Sequence, residues 1–169
     1  MKQFNYHIGT ILNLEGTRHV GVVINKYKTA ELIACSDERY GQICKLAIID
    51  LQVQKLHPVT NKPFSYIKEA WECCFNEKEL LLRIKEIGQK YHNTPYNKIT
   101  NNCQHFAYEV ATGKRKSPDA DPLKWFGKFH KQISALERFT NGSTSNSSSG
   151  TFSNFEGFSR EINQLILQT

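Results

Sequence analysis

The hydrophobic pattern of this chain changes its period once, near Pro58 and Pro63, and that change restricts the folds open to it. Before the two prolines, short runs of strand-forming residues alternate with turn-like clusters; the runs are residues 8–12, 20–25, 31–35, 43–51 and 52–57. Strands joined by such short connections usually pair in antiparallel fashion. We therefore predict an antiparallel meander for this part of the chain.

A helical pattern replaces the strand pattern after the prolines and is clearest in residues 77–91. Four side chains there follow a 4-3-4 spacing and share one face: Leu80, Ile84, Ile87 and Tyr91. That stripe predicts an amphipathic helix packed on the sheet. The sequence thus predicts an α+β fold, with an antiparallel sheet packed against helices.

A second helix is predicted for residues 103–112. Asn101 or Asn102 is suited to be its N-cap, and Gly113 to be its C-terminal stop. Cys103 would then lie in the first turn.

The composition divides the rest of the chain into segments. With 39% hydrophobic residues in a chain of 169, one domain can build a core. We assign it to residues 1–139, ending in a helix over residues 122–139. Residues 140–153 are almost all Ser, Thr, Asn and Gly, which predicts a flexible linker. Residues 154–169 follow as a short amphipathic segment, with a weak helical pattern over residues 155–167.

Charge and cysteine content restrict partners and compartment. A net charge of +6 and a pI near 9.1 favour anionic partners such as phospholipid headgroups or nucleic acid. No apolar run is long enough for a signal peptide or a membrane span. The five cysteines form no C-x-x-C pair, which favours a reducing, cytoplasmic location; they are Cys35, Cys44, Cys73, Cys74 and Cys103. A metal site on the first four of them is a minor alternative.

Cys103 is the strongest candidate for chemistry. A thiol in the first turn of a helix meets the positive end of the helix dipole, which favours the thiolate. The unpaired N–H groups of that turn can also stabilise an oxyanion. The alternative is an inert buried thiol.

A thiolate nucleophile needs a base, and the nearby His105 is badly placed for that role. It lies two residues on, about 200° around the helix axis. His19 is the better candidate, because it opens the strand HVGVVI (residues 19–24). Strand alternation places His19 and Gly21 on one face, where the glycine leaves room for another element.

Three segments resemble the lecithin:retinol acyltransferase-like family, also called NC-domain proteins. GTIL (residues 9–12) resembles the first strand of the family, and RHVGVV (residues 18–23) its histidine strand. YNKITNNCQHFA (residues 96–107) resembles its Y-N-x-x-x-N-N-C-E-H-F box, with Gly113 as the closing glycine. The resemblance covers roughly residues 6–115.

This resemblance implies a permuted papain-like fold of the NlpC type. It also implies an enzyme, a thiol acyltransferase or a phospholipase A-type hydrolase acting on glycerophospholipid. The acyl chain would pass to Cys103 as a thioester and then to water, an amine or an alcohol, with His19 as general base. No metal or organic cofactor is expected. The partner would be phospholipid or an anionic membrane surface in peripheral contact, helped by the basic residues after Gly113, and no nucleic acid is expected.

The chain departs from the family pattern at the third site residue. Many members carry a second histidine on the next strand, but a hairpin centred near Tyr27 would place Cys35 opposite His19. Glu31 or His57 is then the candidate third residue, and His57 is slightly favoured. Gln104 replaces the usual glutamate beside the nucleophile.

Two alternatives to lipid chemistry stay open at this point. One keeps Cys103 and His19 but acts on a peptide or isopeptide bond. The other is a catalytically silent NC-domain protein that acts by binding.

Overall fold

The computed structural model describes residues 3–69, 73–117 and 155–169, which form an antiparallel sheet and three helices. The strands are β1 (Ile11–Leu14), β2 (Val20–Val23), β3 (Lys28–Asp37), β4 (Gly41–Asp50) and β5 (Tyr66–Lys68). The helices are α1 (Glu77–Tyr91), α2 (Cys103–Thr112) and α3 (Phe155–Leu167). The predicted α+β class is confirmed.

The five strands lie in the order β4-β3-β2-β1-β5, and all neighbours are antiparallel. The first four strands form the predicted meander, and β5 returns to pair with β1. Alternate residues of β1 and β2 face opposite sides of the sheet. Ile11 and Val22 join the main core with the helices, whereas Leu12 and Val23 pack with Phe4 in a smaller cluster.

One predicted strand is wrong, and one observed strand was not predicted. Residues 52–57 form no strand, because the carbonyl of Asp50 accepts hydrogen bonds from the N–H groups of Val53 and Gln54 and turns the chain at that point. His57 forms an isolated bridge with Lys62. The strand Tyr66–Lys68 was not predicted, since its three residues carry too short a pattern to be recognised.

The helix boundaries agree with the predicted ones. Helix α1 begins at a capping box, in which the side chains of Asn76 and Glu79 each bond the backbone N–H of the other residue. Helix α2 is capped by Asn102 and ends at Gly113, whose φ of 81° is the left-handed conformation that glycine adopts easily.

Helix α3 packs on α1 and β4 through the buried Phe158 and Ile162, and Glu161 pairs with Lys28 at 2.5 Å. The predicted helix over residues 122–139 and linker over residues 140–153 lie outside the described residues. None of the described helices has the length and hydrophobicity to cross a bilayer.

Candidate active site

The turn between β1 and β2 fixes the backbone of His19. Its N–H donates to the hydroxyl of Thr17 at 3.0 Å, and its carbonyl accepts from the N–H of Leu14 at 2.8 Å. The side-chain amide of Asn13 donates to the same carbonyl at 3.2 Å. His19 therefore has a defined position immediately before β2, where it is fully buried.

Helix α2 brings Cys103 against this turn. The Sγ atom of Cys103 lies 3.9 Å from the carbonyl oxygen of Arg18, and the Cys103 and His19 side chains are hydrogen bonded. Both side chains are fully buried. The predicted nucleophile and its predicted base are therefore neighbours, and their contact joins the first residue of α2 to the end of the β1–β2 turn.

The register of β2 and β3 places Glu31 at this pair and corrects the predicted hairpin. Val22 pairs with Ala30 and Val23 with Thr29, so the hairpin is centred on Lys26 rather than on the next residue. Carried along the strands, this register sets Glu31 opposite Gly21 and brings Ile33, not Cys35, to the position across from His19. The absence of a β-carbon on Gly21 gives the Glu31 side chain its space.

The carboxylate of Glu31 is the centre of a buried hydrogen-bond network. Its Oε1 accepts from Nε2 of His19 at 2.5 Å and from Nε2 of His57 at 2.8 Å. Its Oε2 accepts from the hydroxyl of Tyr66 at 2.7 Å and from the hydroxyl of Thr29. Of the two candidate third residues, Glu31 thus contacts His19 directly, and His57 contacts Glu31 in turn.

The backbone fixes the tautomer of His57. Its Nδ1 accepts a hydrogen bond from the N–H of Val59 at 3.0 Å, so the ring proton of the neutral form lies on Nε2 and points to Glu31. Burial lowers the pKa of His57, which keeps the ring neutral. Burial and the charge of Glu31 raise the pKa of Tyr66 well above its usual value, so this donor also keeps its proton.

The remaining two groups are driven toward their charged forms. Burial alone would raise the pKa of Glu31, but His57 and His19 outweigh it and lower that pKa well below its ordinary range. Burial likewise opposes a charge on His19, yet its hydrogen bonds to Cys103 and Glu31 raise its pKa to about 10. The site therefore holds a carboxylate beside an imidazolium. Because Nε2 of His19 faces Glu31, its Nδ1 is the ring nitrogen left for Cys103.

The same side chains could also be considered as metal ligands. Ligand-type atoms of His19, Glu31 and His57 lie within 4.8 Å of one another. However, the N–H of Val59 occupies Nδ1 of His57, so a metal on Nε2 would leave that ring without a proton. The geometry favours a hydrogen-bond network over a metal site. In the part of the chain that the structure describes, the other four cysteines form no such ligand group.

The first turn of α2 has fewer N–H groups available to an oxyanion than an uncapped helix would have. The side chain of Asn102 accepts from the N–H groups of Gln104 at 2.9 Å and of His105 at 3.2 Å, so neither of them is available to a substrate. The buried hydroxyl of Tyr96 lies close to the backbone and the thiol of Cys103. Tyr96 is held by its own N–H, which donates to the carbonyl of Gln42 at 2.9 Å. The N–H of Cys103 and the hydroxyl of Tyr96 are thus the candidate oxyanion donors beside the thiol.

Three residues of the site were missed from sequence. Thr29 precedes Glu31 by two positions and therefore shares its face of β3, which was a usable signal. Tyr96 opens the predicted cysteine box but carried no assigned role. Tyr66 lies on the short strand β5, and nothing in the local pattern connects it to Glu31.

The two residues after Cys103 have structural roles. His105 is buried, and its pKa is lowered by burial and by the charge of Arg115. The side chain of Gln104 donates to the carbonyl of Arg18 at 3.4 Å and accepts from the hydroxyl of Ser117 at 2.9 Å. Gln104 therefore ties α2 to the turn that carries His19.

Replacing Gly21 by alanine is expected to disturb this network selectively. A β-carbon there would lie 2.7 Å from Cγ of Glu31 and 2.9 Å from its Oε2, so the carboxylate would have to move. We expect a loss of about 1–3 kcal/mol in the free energy of unfolding, typical of overpacking. Chemical denaturation followed by circular dichroism measures it. Gly88→Ala is the comparison, because a β-carbon there comes no closer than 3.3 Å to its neighbours. Equal stability of Gly21→Ala and wild type would contradict the tight contact.

The chain was compared with protein-family models, with curated proteins and with solved structures, and none of them matches it.

Proposed function

We propose that this protein is a cysteine-dependent acyltransferase or phospholipase A-type hydrolase that acts on glycerophospholipid. The observation that carries the proposal is the buried series Cys103, His19 and Glu31, in which a thiol, an imidazole and a carboxylate are hydrogen bonded in sequence. That order of groups activates a thiol in papain-like enzymes. The resemblance of the surrounding segments to NC-domain proteins supports lipid as the substrate and a permuted papain-like fold of the NlpC type.

The first half of the reaction forms a thioester. The proton of the Cys103 thiol is held on Nδ1 of His19, which gives the imidazolium, and the sulfur attacks the carbonyl carbon of an acyl ester. The N–H of Cys103 and the hydroxyl of Tyr96 stabilise the oxyanion of the tetrahedral intermediate. As the ester C–O bond breaks, His19 returns its proton to the oxygen of the leaving lysophospholipid.

The second half regenerates the thiol. His19 removes a proton from water, an amine or an alcohol, and that acceptor attacks the thioester carbonyl. The C–S bond breaks, the acyl chain leaves on the acceptor, and the sulfur recovers its proton from His19. Water gives a free fatty acid, whereas an amine gives an amide and an alcohol gives an ester.

Glu31 is a positioning residue in this scheme. It holds the ring of His19 by Nε2, so that Nδ1 faces the thiol, and its negative charge stabilises the imidazolium. His57, Tyr66 and Thr29 in turn fix the carboxylate by donating to it. All four acceptor positions of Glu31 are thereby occupied without a further group.

The burial of Cys103 favours one alternative. Its side chain has no exposed surface, so a lipid ester reaches the sulfur only after neighbouring residues move. A catalytically silent protein that acts by binding would have no need for that movement. In that alternative the same network serves only to stabilise the junction of the β1–β2 turn with α2.

The products formed from mixed vesicles test the proposal. With phosphatidylcholine and phosphatidylethanolamine vesicles, we expect time-dependent lysophosphatidylcholine, measured by lipid mass spectrometry. Free fatty acid in equal amount identifies a hydrolase, and N-acyl phosphatidylethanolamine identifies an acyltransferase. Protein alkylated at Cys103 is the control and should form neither product. Vesicles left unchanged by the wild-type protein would favour the binding alternative.

A further inference from the structure

A pocket of about 280 Å³ lies between the end of α1 and the segments that flank α2. Five residues line it, and two of them are cationic: Lys90, Tyr91, Thr94, Asn101 and Arg115. Pockets for drug-sized ligands measure roughly 300–1,000 Å³ and are mostly apolar. At this volume the pocket suits a small group rather than a long acyl chain.

Arg115 is held in place at this pocket. Its Nη2 donates to the carbonyl of Thr100 at 2.9 Å and to Oδ1 of Asn101 at 2.8 Å. Its guanidinium lies 5.7 Å from the ring centre of Tyr91. Both bonds use the same terminal nitrogen, and a guanidinium has five N–H donors. The fixed group can thus offer further donors to a ligand in the pocket.

The charges at the pocket leave an excess of positive charge. Lys90 pairs with Glu109 at 3.0 Å, and the hydroxyl of Tyr91 donates to the same carboxylate at 3.0 Å. Glu109 thus balances one of the two cations, Lys90 and Arg115. Lys114 and Lys116 flank Arg115 and are exposed. An anion is the favoured occupant, and arginine with lysine is a donor set suited to phosphate.

The pocket also lies close to the candidate nucleophile. Asn101, in its wall, is two residues before Cys103, so their Cα atoms are at most about 7.6 Å apart. The side chain of Asn101 donates to the hydroxyl of Thr94 at 3.0 Å and lies 3.6 Å from Sγ of Cys44. In a glycerophospholipid, only a few bonds separate the phosphorus from the nearest ester carbonyl. Once the residues that cover Cys103 move, one lipid molecule can thus present its phosphate to Arg115 and its ester to Cys103.

We propose that this pocket binds the phosphate group of the glycerophospholipid whose ester reacts at Cys103. This inference rests on the proposed function, and it specifies the substrate as an ester that carries a phosphate nearby. Inorganic phosphate would make the same contacts in the pocket. The test therefore has to distinguish it from the phosphate group of a lipid.

The first arm measures binding without catalysis. Inorganic phosphate and sn-glycerol 3-phosphate are titrated, at constant ionic strength, into Cys103→Ala protein, and backbone NMR shifts are followed. We expect shifts at the pocket residues and at least roughly tenfold weaker binding when Arg115→Gln is added. Lys116→Gln removes the same charge from an exposed neighbour and should change the dissociation constant by less than about twofold. Equal weakening by both variants would show only general electrostatic attraction and would overturn the site.

The second arm measures headgroup preference with the reactive protein. Wild type should cleave phosphatidylcholine faster than diacylglycerol in the same neutral vesicles, and Arg115→Gln should lose that preference while Lys116→Gln keeps it. Phosphate binding without any preference by wild type would overturn the lipid headgroup as occupant. If binding depends on Arg115 but no lipid is cleaved, the phosphate site is supported and the catalytic proposal fails. If lipid is cleaved but phosphate affinity does not depend on Arg115, the catalytic proposal is supported and the phosphate site fails.

Discussion

Glu31→Gln is expected to lower the free energy of unfolding by about 3–5 kcal/mol, because it breaks a buried, charge-assisted network. The amide keeps the shape of the carboxylate but has only one acceptor oxygen. Of the four donors that now face Glu31, two would meet an NH₂ group instead. For a chain of this size the loss corresponds to a melting temperature lower by roughly 10 °C, measured by circular dichroism.

The exposed Glu38 provides a matched control for this change. Glu38→Gln makes the same chemical substitution on the surface and should alter stability by no more than about 0.5 kcal/mol. If Glu31→Gln were as stable as Glu38→Gln at pH 7, the carboxylate would not be the centre of the network.

The contribution of Glu31 should also depend on pH in one direction. The folded state lowers the pKa of Glu31 below its ordinary value of 4.5, so in acid the unfolded chain binds a proton that the folded chain does not. The stabilisation is therefore complete above pH 4.5 and is lost as the pH falls, by at most about 1.4 kcal/mol per pH unit. The stability gap between wild type and Glu31→Gln should narrow from pH 4.5 to pH 3. A constant gap would contradict the lowered pKa.

His19→Gln is expected to slow alkylation of Cys103 by iodoacetamide roughly 100-fold at pH 7. The imidazole of His19 is hydrogen bonded to the thiol, and glutamine can neither take its proton nor stabilise a thiolate by charge. Peptide mapping by mass spectrometry gives the rate at each cysteine separately. The exposed Cys74 should react equally fast in both proteins, and the exposed His7 provides the control variant His7→Gln.

Unfolding caused by the substitution has to be distinguished from lost activation. Cys44 is buried in β4 and reports exposure of the core. Rates at Cys103 are therefore compared under conditions in which Cys44 stays unlabelled in both proteins. Equal rates at Cys103 in wild type and His19→Gln would show that the pair is not a working dyad.

Helix positions could be predicted closely because their signals are local. The apolar stripe of residues 77–91 and the stop at Gly113 each depend on a few neighbouring residues. Strand positions depend on pairing partners, which a local pattern does not contain. Residues 52–57 have strand-like composition, yet a turn after Asp50 removes them from the sheet. The short strand β5 exists because β1 pairs with it over a long sequence separation.

Two members of the candidate site could be identified from the sequence, but the contacts around them could not. Cys103 at the start of a helix and His19 at the start of a strand were both recognisable from position. The choice between Glu31 and His57 depended on the hairpin register, which was predicted with its centre one residue away from the observed one. Gly21 leaves the space that Glu31 fills, and that contact follows only from the observed register.

The most direct test of an acyl-transferring cysteine is the intact mass of the protein during its reaction with phosphatidylcholine vesicles. After an acid quench, wild type should gain the mass of one acyl chain, in a linkage that neutral hydroxylamine cleaves, as expected for a thioester. Cys103→Ala should gain none. Wild-type protein that stays unmodified, or an adduct of equal amount on Cys103→Ala, would contradict the proposal.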